Sequence, residues 1–250
     1  MGNDIEIREC VTVDEFAECV RLQSDVFALP EAELSPVRHL VVTKNAGGFA
    51  LGAYDGDKLA GFVLSVPAFL RGEDAFYSHM TGVRPEYQLA GIGAKLKWEQ
   101  RRRSLELGVR YIKWTFEPVK ARNAYFNLEK LGAIACEYKP NFYGTDYATA
   151  ERTAGKKLGL ASDRLFAEWH LESPKVVALA EGRSFKEGQQ PMRTIEIMDD
   201  WLSLVASDPE NAIAEQQRIK REFENAFAMG LVAKGFLRDE ASPCYLLYPV

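Results

Sequence analysis

Apolar and polar positions along the chain follow two rhythms: a period of two marks strands, and a period near 3.6 marks helices. Ile5-Glu6-Ile7-Arg8 alternates and predicts a first strand. Thr12-Val13-Asp14-Glu15 has the spacing of a capping box, and Phe16, Val20 and Phe27 follow on one helical face. The stretch from Pro30 to Pro36 reads as a loop. Phe49 to Tyr54 and Leu59 to Val66 are strand-like runs around Asp55-Gly56-Asp57, a hairpin signal. Ala75 to Val83 predicts another strand. A helix is predicted over Gly91 to Leu107, with Ile92, Leu96, Gln100 and Leu107 on one face and Gly108 closing it.

Tyr111 to Phe116 is rich in β-branched and aromatic residues and predicts a strand that Glu117-Pro118 ends. Asn123 to Leu131 reads as a helix stopped by Gly132, and Ala133 to Tyr138 as the next strand. Asn141-Phe142-Tyr143-Gly144 is a loop with aromatics placed for exposure. Arg164 to Leu171 is strand-like, and 182–190 is a polar loop. The tail predicts strand (Arg193 to Met198), helix, strand, strand. Asp208-Pro209 starts that helix; Ile213, Ile219, Phe223 and Phe227 share its apolar face, and Gly230 stops it.

Composition narrows the classes. The 250 residues are 47% hydrophobic and 27% charged, ordinary for a globular chain that can bury a core unaided. A net charge of −5 counts against nucleic acid or an anionic membrane as the main partner. Cys10, Cys19, Cys136 and Cys244 form no CxxC pair and have no histidine at metal-ligand spacing, so no metal is expected and a reducing compartment is. No run reaches membrane-spanning length, and the acidic N-terminus is unlike a signal peptide. Gly2 suggests a myristoylation site, but Glu6 stands where Ser or Thr is needed. The expectation is a cytoplasmic protein.

The chemistry concentrates at Gln88-Leu89-Ala90-Gly91-Ile92-Gly93, between a predicted strand and a predicted helix. A P-loop is excluded because no Gly-Lys-Ser/Thr follows. A dinucleotide fingerprint needs a third glycine where Leu96 stands. Two readings remain: a tight turn, or a cradle in which small residues let a pyrophosphate approach the free amides of a helix N-terminus.

Val83-x-Pro85-Glu86-Tyr87-Gln88-x-x-Gly91-Ile92-Gly93 resembles the Gln/Arg-x-x-Gly-x-Gly/Ala signature of the GNAT superfamily of acyl-CoA N-acyltransferases. The segment Asn123 to Gly132 is similar to that family's second hallmark, a helix with Asn near its start and Lys-x-Gly at its end. The match covers roughly residues 5 to 171. The strings SHMTGV, LKWEQR, WTFEP and NFYG further resemble a little-characterised GNAT subfamily with an extended C-terminus, some members of which are proposed to N-succinylate amino acids.

The resemblance implies an α/β (α+β) GNAT fold. Its mixed central sheet carries helices on both faces and splayed fourth and fifth strands, followed here by a strand–helix–strand–strand extension. Residues 1–172 would be the catalytic part and 173–250 an extension packed on it, with a partial GNAT-like half as the alternative reading of that extension. The extension is expected to pack beside the acceptor cleft, to build a homodimer surface, or simply to complete the core.

The implied activity is transfer of an acetyl or succinyl group from coenzyme A to a primary amine of a small molecule, such as an amino acid. Coenzyme A would contact Met80, Thr81, Gly82 and Val83 along the strand, Gln88, Leu89, Ala90, Gly91, Ile92, Gly93 and Ala94 in the cradle, and Asn123. Strand alternation places Tyr77, His79 and Thr81 on one face, and His79 is the first candidate base. The family's acid, a Tyr four residues before the helix-ending glycine, is Leu128 here. Tyr125 and Tyr143 are the substitutes, or else walls of an acceptor pocket. Tyr77, Trp114 and Glu117 are candidate substrate contacts, with sheet packing the competing role for Trp114 and Phe116. Arg101-Arg102-Arg103 is no clamp, since adjacent helical residues diverge by about 100°. The competing function is a non-catalytic acyl-CoA sensor or assembly module, motivated by Leu128; a nicotinamide-dependent oxidoreductase is a third.

Overall fold

In the computed structural model, the residues described are 5–27, 29–146, 149, 159–239 and 242–250. They form two compact units, Met1–Lys113 and Trp114–Val250.

The first unit is built on strands β1 (Ile5–Glu9), β2 (Phe49–Asp55), β3 (Lys58–Leu70), β4 (Glu73–Val83) and the start of β5 (Tyr111–Phe116), in that order across the sheet. β1 to β4 are antiparallel neighbours, whereas β4 and β5 run parallel, pairing at Phe76↔Ile112 and Tyr77↔Lys113. The β2–β3 hairpin turns where its sequence predicts, with Gly56 at φ +58°.

Helix α1 (Val13–Phe27) opens with the expected capping box: the Glu15 amide donates to Thr12 Oγ1 (3.2 Å), and the Thr12 amide to Glu15 Oε2 (2.9 Å). Arg8 and the amide of Val11 also donate to Glu15. Burial pushes the Glu15 carboxyl up, but these donors together draw it down to about 2. Phe16, Cys19 and Leu22 of α1 join Leu40 of α2 (Val37–Asn45) in a core with Phe62 and Leu64 of β3. Residue spacing gives no sign of α2, whose exposed Val42 and half-buried Val37 and Val41 blur the helical period.

Helix α3 (Ile92–Glu106) covers the opposite face, because it meets Ser65, the alternate neighbour of Leu64. A buried polar seam joins them. Lys97 Nζ donates to Ser78 Oγ (3.0 Å) and Gln100 Oε1 (2.8 Å), and Gln100 Nε2 donates to Ser65 Oγ (2.8 Å). Burial holds the Lys97 ammonium well below the ordinary lysine range. The inward stripe is Ile92, Leu96, Gln100 and Ser104; Leu107, expected on it, is 44% exposed because the helix ends at Glu106.

The second unit carries α4 (Ala121–Tyr125), which continues as a π-helical turn over Phe126–Lys130, and the strands β6 (Ile134–Lys139) and β7 (Arg164–His170). It also holds α5 (Pro174–Ala180), β8 (Arg193–Glu196), α6 (Trp201–Ser207), α7 (Pro209–Ala228), β9 (Leu231–Leu237) and β10 (Cys244–Pro249). The strand order β7-β6-β9-β10-β8 is antiparallel throughout. The tail thus has two helices where one is expected. Asp208 caps α7 by accepting from the Asn211 amide (3.1 Å), and its own amide closes α6 on Leu204. Phe223 of α7 stacks on Tyr138 of β6 and meets Tyr245 of β10 edge-on, so tail and β6 share one core.

Glu15 carries a sign-definite prediction. Its carboxyl is depressed in the folded chain, so its stabilisation is present above the ordinary glutamate range and is lost as pH falls toward about 2. Glu15→Gln is expected to lower the urea midpoint at pH 7 by the equivalent of about 1 kcal/mol. The difference should close at the acid end of the window, as followed by circular dichroism.

Candidate active site

The candidate residues fall into two groups, one in each unit. In the first, the organising feature is a bulge in β4. Leu64 pairs with Met80 and Ser65 with Ser78, so His79 is an extra residue with no opposite number on β3. Alternation is reset there. Ser78 meets Lys97 on the α3 face, and Thr81, opposite Val63, lies on that face too. Met80 packs into the α1/α2 core instead, and Gly82 faces Leu22 and Phe27 of α1. His79 sits on this α1/α2 side, beside Tyr77 (ring centroids 6.4 Å) and His39 of α2 (5.5 Å, edge-on). The expectation that Thr81 shares a face with Tyr77 and His79 is therefore corrected: one inserted residue turns Thr81 to the other side.

His79 is half-buried, and its Nε2 lies 3.0 Å from Ser35 Oγ. Burial and then the nearby His39 lower its affinity for a proton, favouring neutral imidazole. Neither Ser35 nor His39 was singled out by the sequence. Their signal was indirect: Gln23 is a polar residue inside the apolar stripe of α1, and a buried amide needs a partner.

Beyond Tyr77, the described residues of the first unit give β4 strand partners on its β3 side alone. A 3-10 turn, Pro85–Ala90, leads from the end of β4 to Gly91. Tyr87 Oη donates to Asp55 Oδ2 (2.7 Å), Lys58 pairs with Glu86 (2.9 Å), and Gln88 Nε2 donates to Val83 O (3.3 Å), so the turn is tied to the β2–β3 hairpin and to β4.

Gly91 caps α3 in the left-handed conformation (φ +72°). The amides of Gly91, Ile92 and Gly93 precede the first intrahelical bonds, which the Ala94 and Lys95 amides make to Gly91 O (both 3.1 Å). Gly93 is required by no packing: a Cβ there would meet only Val83 Cγ2, at 3.9 Å. Its bareness keeps the space before these amides open, which suits an anion at a helix N-terminus. The arginines further along α3 diverge as expected, Arg102 to Glu99 and Glu106, Arg103 to Glu9.

The second group gathers around Glu117. Lys120 Nζ reaches Glu117 Oε1 (2.9 Å), Asn123 Nδ2 donates to Oε2 (2.9 Å), and Arg164 Nη2 lies 3.9 Å away. Burial pushes the Glu117 carboxyl up, but Lys120 and Arg164 overcome it, leaving the carboxyl below the ordinary range. Arg164 also lies over the Tyr143 ring (5.2 Å), and Tyr143 Oη shares a hydrogen bond with Thr115 Oγ1 (3.1 Å). Tyr143 and Phe142 are exposed, as their loop predicts. Tyr125 is half-buried between Lys130 and Arg238. Trp114 takes the packing role: it is buried, donates to Asn127 Oδ1 (3.1 Å) and meets Trp169 edge-on. Leu128 is fully buried. Arg164 has no sequence signal because it lies 47 positions from Glu117, whereas Lys120, three residues on, could have been found from its spacing.

No family model matches the chain, and no curated protein does. Solved structures do. One assigned to the acetyltransferases of the GNAT family, from Desulfovibrio desulfuricans, is 16% identical with a TM-score of 0.52; the match covers 67% of this chain and 99% of that one. An Acinetobacter baylyi protein assigned as an acetyltransferase is 19% identical with a TM-score of 0.53, covering 68% and 94%. A chain of the NatC complex bound to Gag peptide and CoA is 14% identical with a TM-score of 0.52, covering 67% and 98%. At these identities the likeness is one of fold: the chain has the fold of the GNAT acetyltransferases. Among the described residues, no group of three His, Cys, Asp or Glu is placed to hold a metal, and no helix is long and apolar enough to cross a membrane.

The lowered His79 midpoint also has a sign. The unfolded chain takes up this proton at higher pH than the folded one, so stability rises with pH through the interval between the two midpoints. NMR titration should place the His79 midpoint below that of the urea-unfolded chain, and His39→Gln should raise it. A folded midpoint equal to or above the unfolded one would contradict the assignment.

Proposed function

We propose that the protein is an acyl-CoA-dependent N-acyltransferase acting on a primary amine of a small molecule, an amino acid being the favoured class. The observation that carries the reading is the left-handed Gly91 cradle at the start of α3, which follows β4. Coenzyme A supplies the activated thioester. The amides of Gly91, Ile92 and Gly93 suit its pyrophosphate, whereas the Ala94 amide, expected in the same cradle, is bonded to Gly91 O; the backbone from Met80 to Val83 suits its extended arm. The fold likeness to a chain solved with CoA supports the same reading.

In the reaction, the amine nitrogen bonds to the thioester carbonyl carbon, the carbon–sulfur bond breaks, and the amine's proton must leave. The two titratable candidates have environments that separate their roles. Glu117 is held ionised by Lys120 and Arg164, which makes it a poor proton acceptor and a suitable anchor for an ammonium. His79 is kept neutral, with a lone pair available at neutral pH, and is the proposed base. Asn123 holds Glu117 in place and is the proposed pantetheine contact; Tyr77 is proposed to line the acceptor side. Tyr143 and Tyr125 are the proposed proton donors to sulfur. Residues 1–172 form the proposed catalytic part and 173–250 an extension.

One observation favours the second reading, a CoA-binding sensor: Leu128, fully buried, stands where an acid is otherwise expected. Thiol release from acetyl-CoA and succinyl-CoA, measured across a panel of amines including amino acids, separates the two. Turnover on an amine is expected, and tight CoA binding without turnover on any would favour the sensor. Gly93→Val should preserve the circular dichroism spectrum while weakening CoA binding at least about tenfold, by filling the space before the amides. Unchanged affinity would remove the cradle.

A further inference from the structure

The contacts behind His79 decide which of its two nitrogens can do chemistry. Its Nε2 faces Ser35 Oγ at 3.0 Å. Ser35 lies in the turn just before α2, and both of its backbone polar groups are gripped by one side chain. The Ser35 amide donates to Gln23 Oε1 (2.9 Å), and Gln23 Nε2 donates to Ser35 O (3.3 Å). Gln23 is fully buried on α1, so the grip is shielded from competing water. α2 starts at the next residue but one, and its His39 amide is bonded to Pro36 O (2.9 Å). The hydroxyl is thus fixed from α1 and α2 together, while the imidazole is fixed by the bulge in β4.

His79 Nδ1 has a different surrounding. No described residue is hydrogen-bonded to it, and it is not among the buried polar atoms left without a partner. It is therefore the nitrogen left for a partner other than Ser35. A neutral imidazole has one N–H and one lone pair, and the partner of one nitrogen decides where the lone pair goes.

The geometry points to Ser35 as a positioning residue: its oxygen accepts Nε2–H of His79, locking the tautomer that leaves the Nδ1 lone pair as proton acceptor, with Gln23 holding Ser35 in register. The proton balance is simple. Nδ1 takes one proton from the substrate ammonium, directly or through water, which frees the amine lone pair for attack and gives an imidazolium whose Nε2–H stays on Ser35. The imidazolium returns that proton to solvent, and the second proton, lost from nitrogen as the carbon–sulfur bond breaks, goes to the departing thiolate. His39, edge-on at 5.5 Å, disfavours a lasting positive charge, which helps the proton leave. The inference rests on the proposed acyl transfer for its catalytic meaning, but its structural content stands apart from that reaction.

Long-range nitrogen-15 NMR on the full chain, just above the His79 midpoint, tests it directly. The expected spectrum shows Nε2 protonated and Nδ1 bare in the wild type, and tautomer mixing in Ser35→Ala with an unchanged fold by circular dichroism. Ser35→Thr, which keeps the hydroxyl, should restore the single tautomer. In the amine assay, Ser35→Ala should lower kcat about tenfold with the KM for acyl-CoA unchanged, and Ser35→Thr should recover most of it. A wild-type spectrum with the proton on Nδ1, or a single unchanged tautomer in Ser35→Ala, overturns the inference. Because the tautomer is read without substrate, absence of turnover on every amine would count against the proposed function and leave this result decisive by itself.

Discussion

One surplus residue in β4 sets the geometry of the first unit. With strict pairing against β3, His79 and Thr81 would project to the same side. The bulge breaks that rule, leaving Ser78 and Thr81 toward α3 and delivering His79 to the side of Ser35 and His39. A bulged strand also bends and twists more strongly than a regular one. Within the first unit, β4 pairs with β5 at Phe76 and Tyr77, immediately before the bulge. The turn of Thr81 toward α3 and the grouping of His79 with Met80 on the α1/α2 side therefore stem from one local irregularity.

Much of the frame was legible because it is encoded locally. The capping box at Thr12–Glu15, the Asp55–Asp57 hairpin and the Asp208 cap each rest on side chains within a few residues of one another, and each is found as predicted. What was not legible is nonlocal. A bulge is a mismatch between two strands and has no signature in one strand alone, so period-two reasoning misplaced Thr81. The short helices α2 and α6 escaped because their apolar residues do not form a clean stripe. Ser35 and Arg164 acquire meaning only from partners 44 and 47 positions away, His79 and Glu117. The proton-acceptor candidate was visible in its residue type and strand position; the group that orients it was not.

Buried polarity does much of the positioning on both faces of the first sheet. On one side Gln23 grips a turn; on the other Lys97 and Gln100 tie α3 to Ser65 and Ser78. An apolar helix face can slide against a sheet at small energetic penalty, whereas a desolvated hydrogen-bond network tolerates one arrangement. The α3 seam matters for the cradle because the same helix carries Gly91 at its start. Fixing Lys97 and Gln100 fixes the direction in which the first-turn amides point.

The cradle also bears on how far such a protein can drift in sequence. Its donors are main-chain amides, and almost any residue supplies one. Of its positions, Gly91 is constrained by its left-handed φ, and Gly93 has open space where a Cβ would stand. A site assembled this way keeps its shape while its letters change. The chain matches no family model yet shares its fold with structures 14% to 19% identical to it, so the common element is the course of the backbone rather than the alphabet of the side chains.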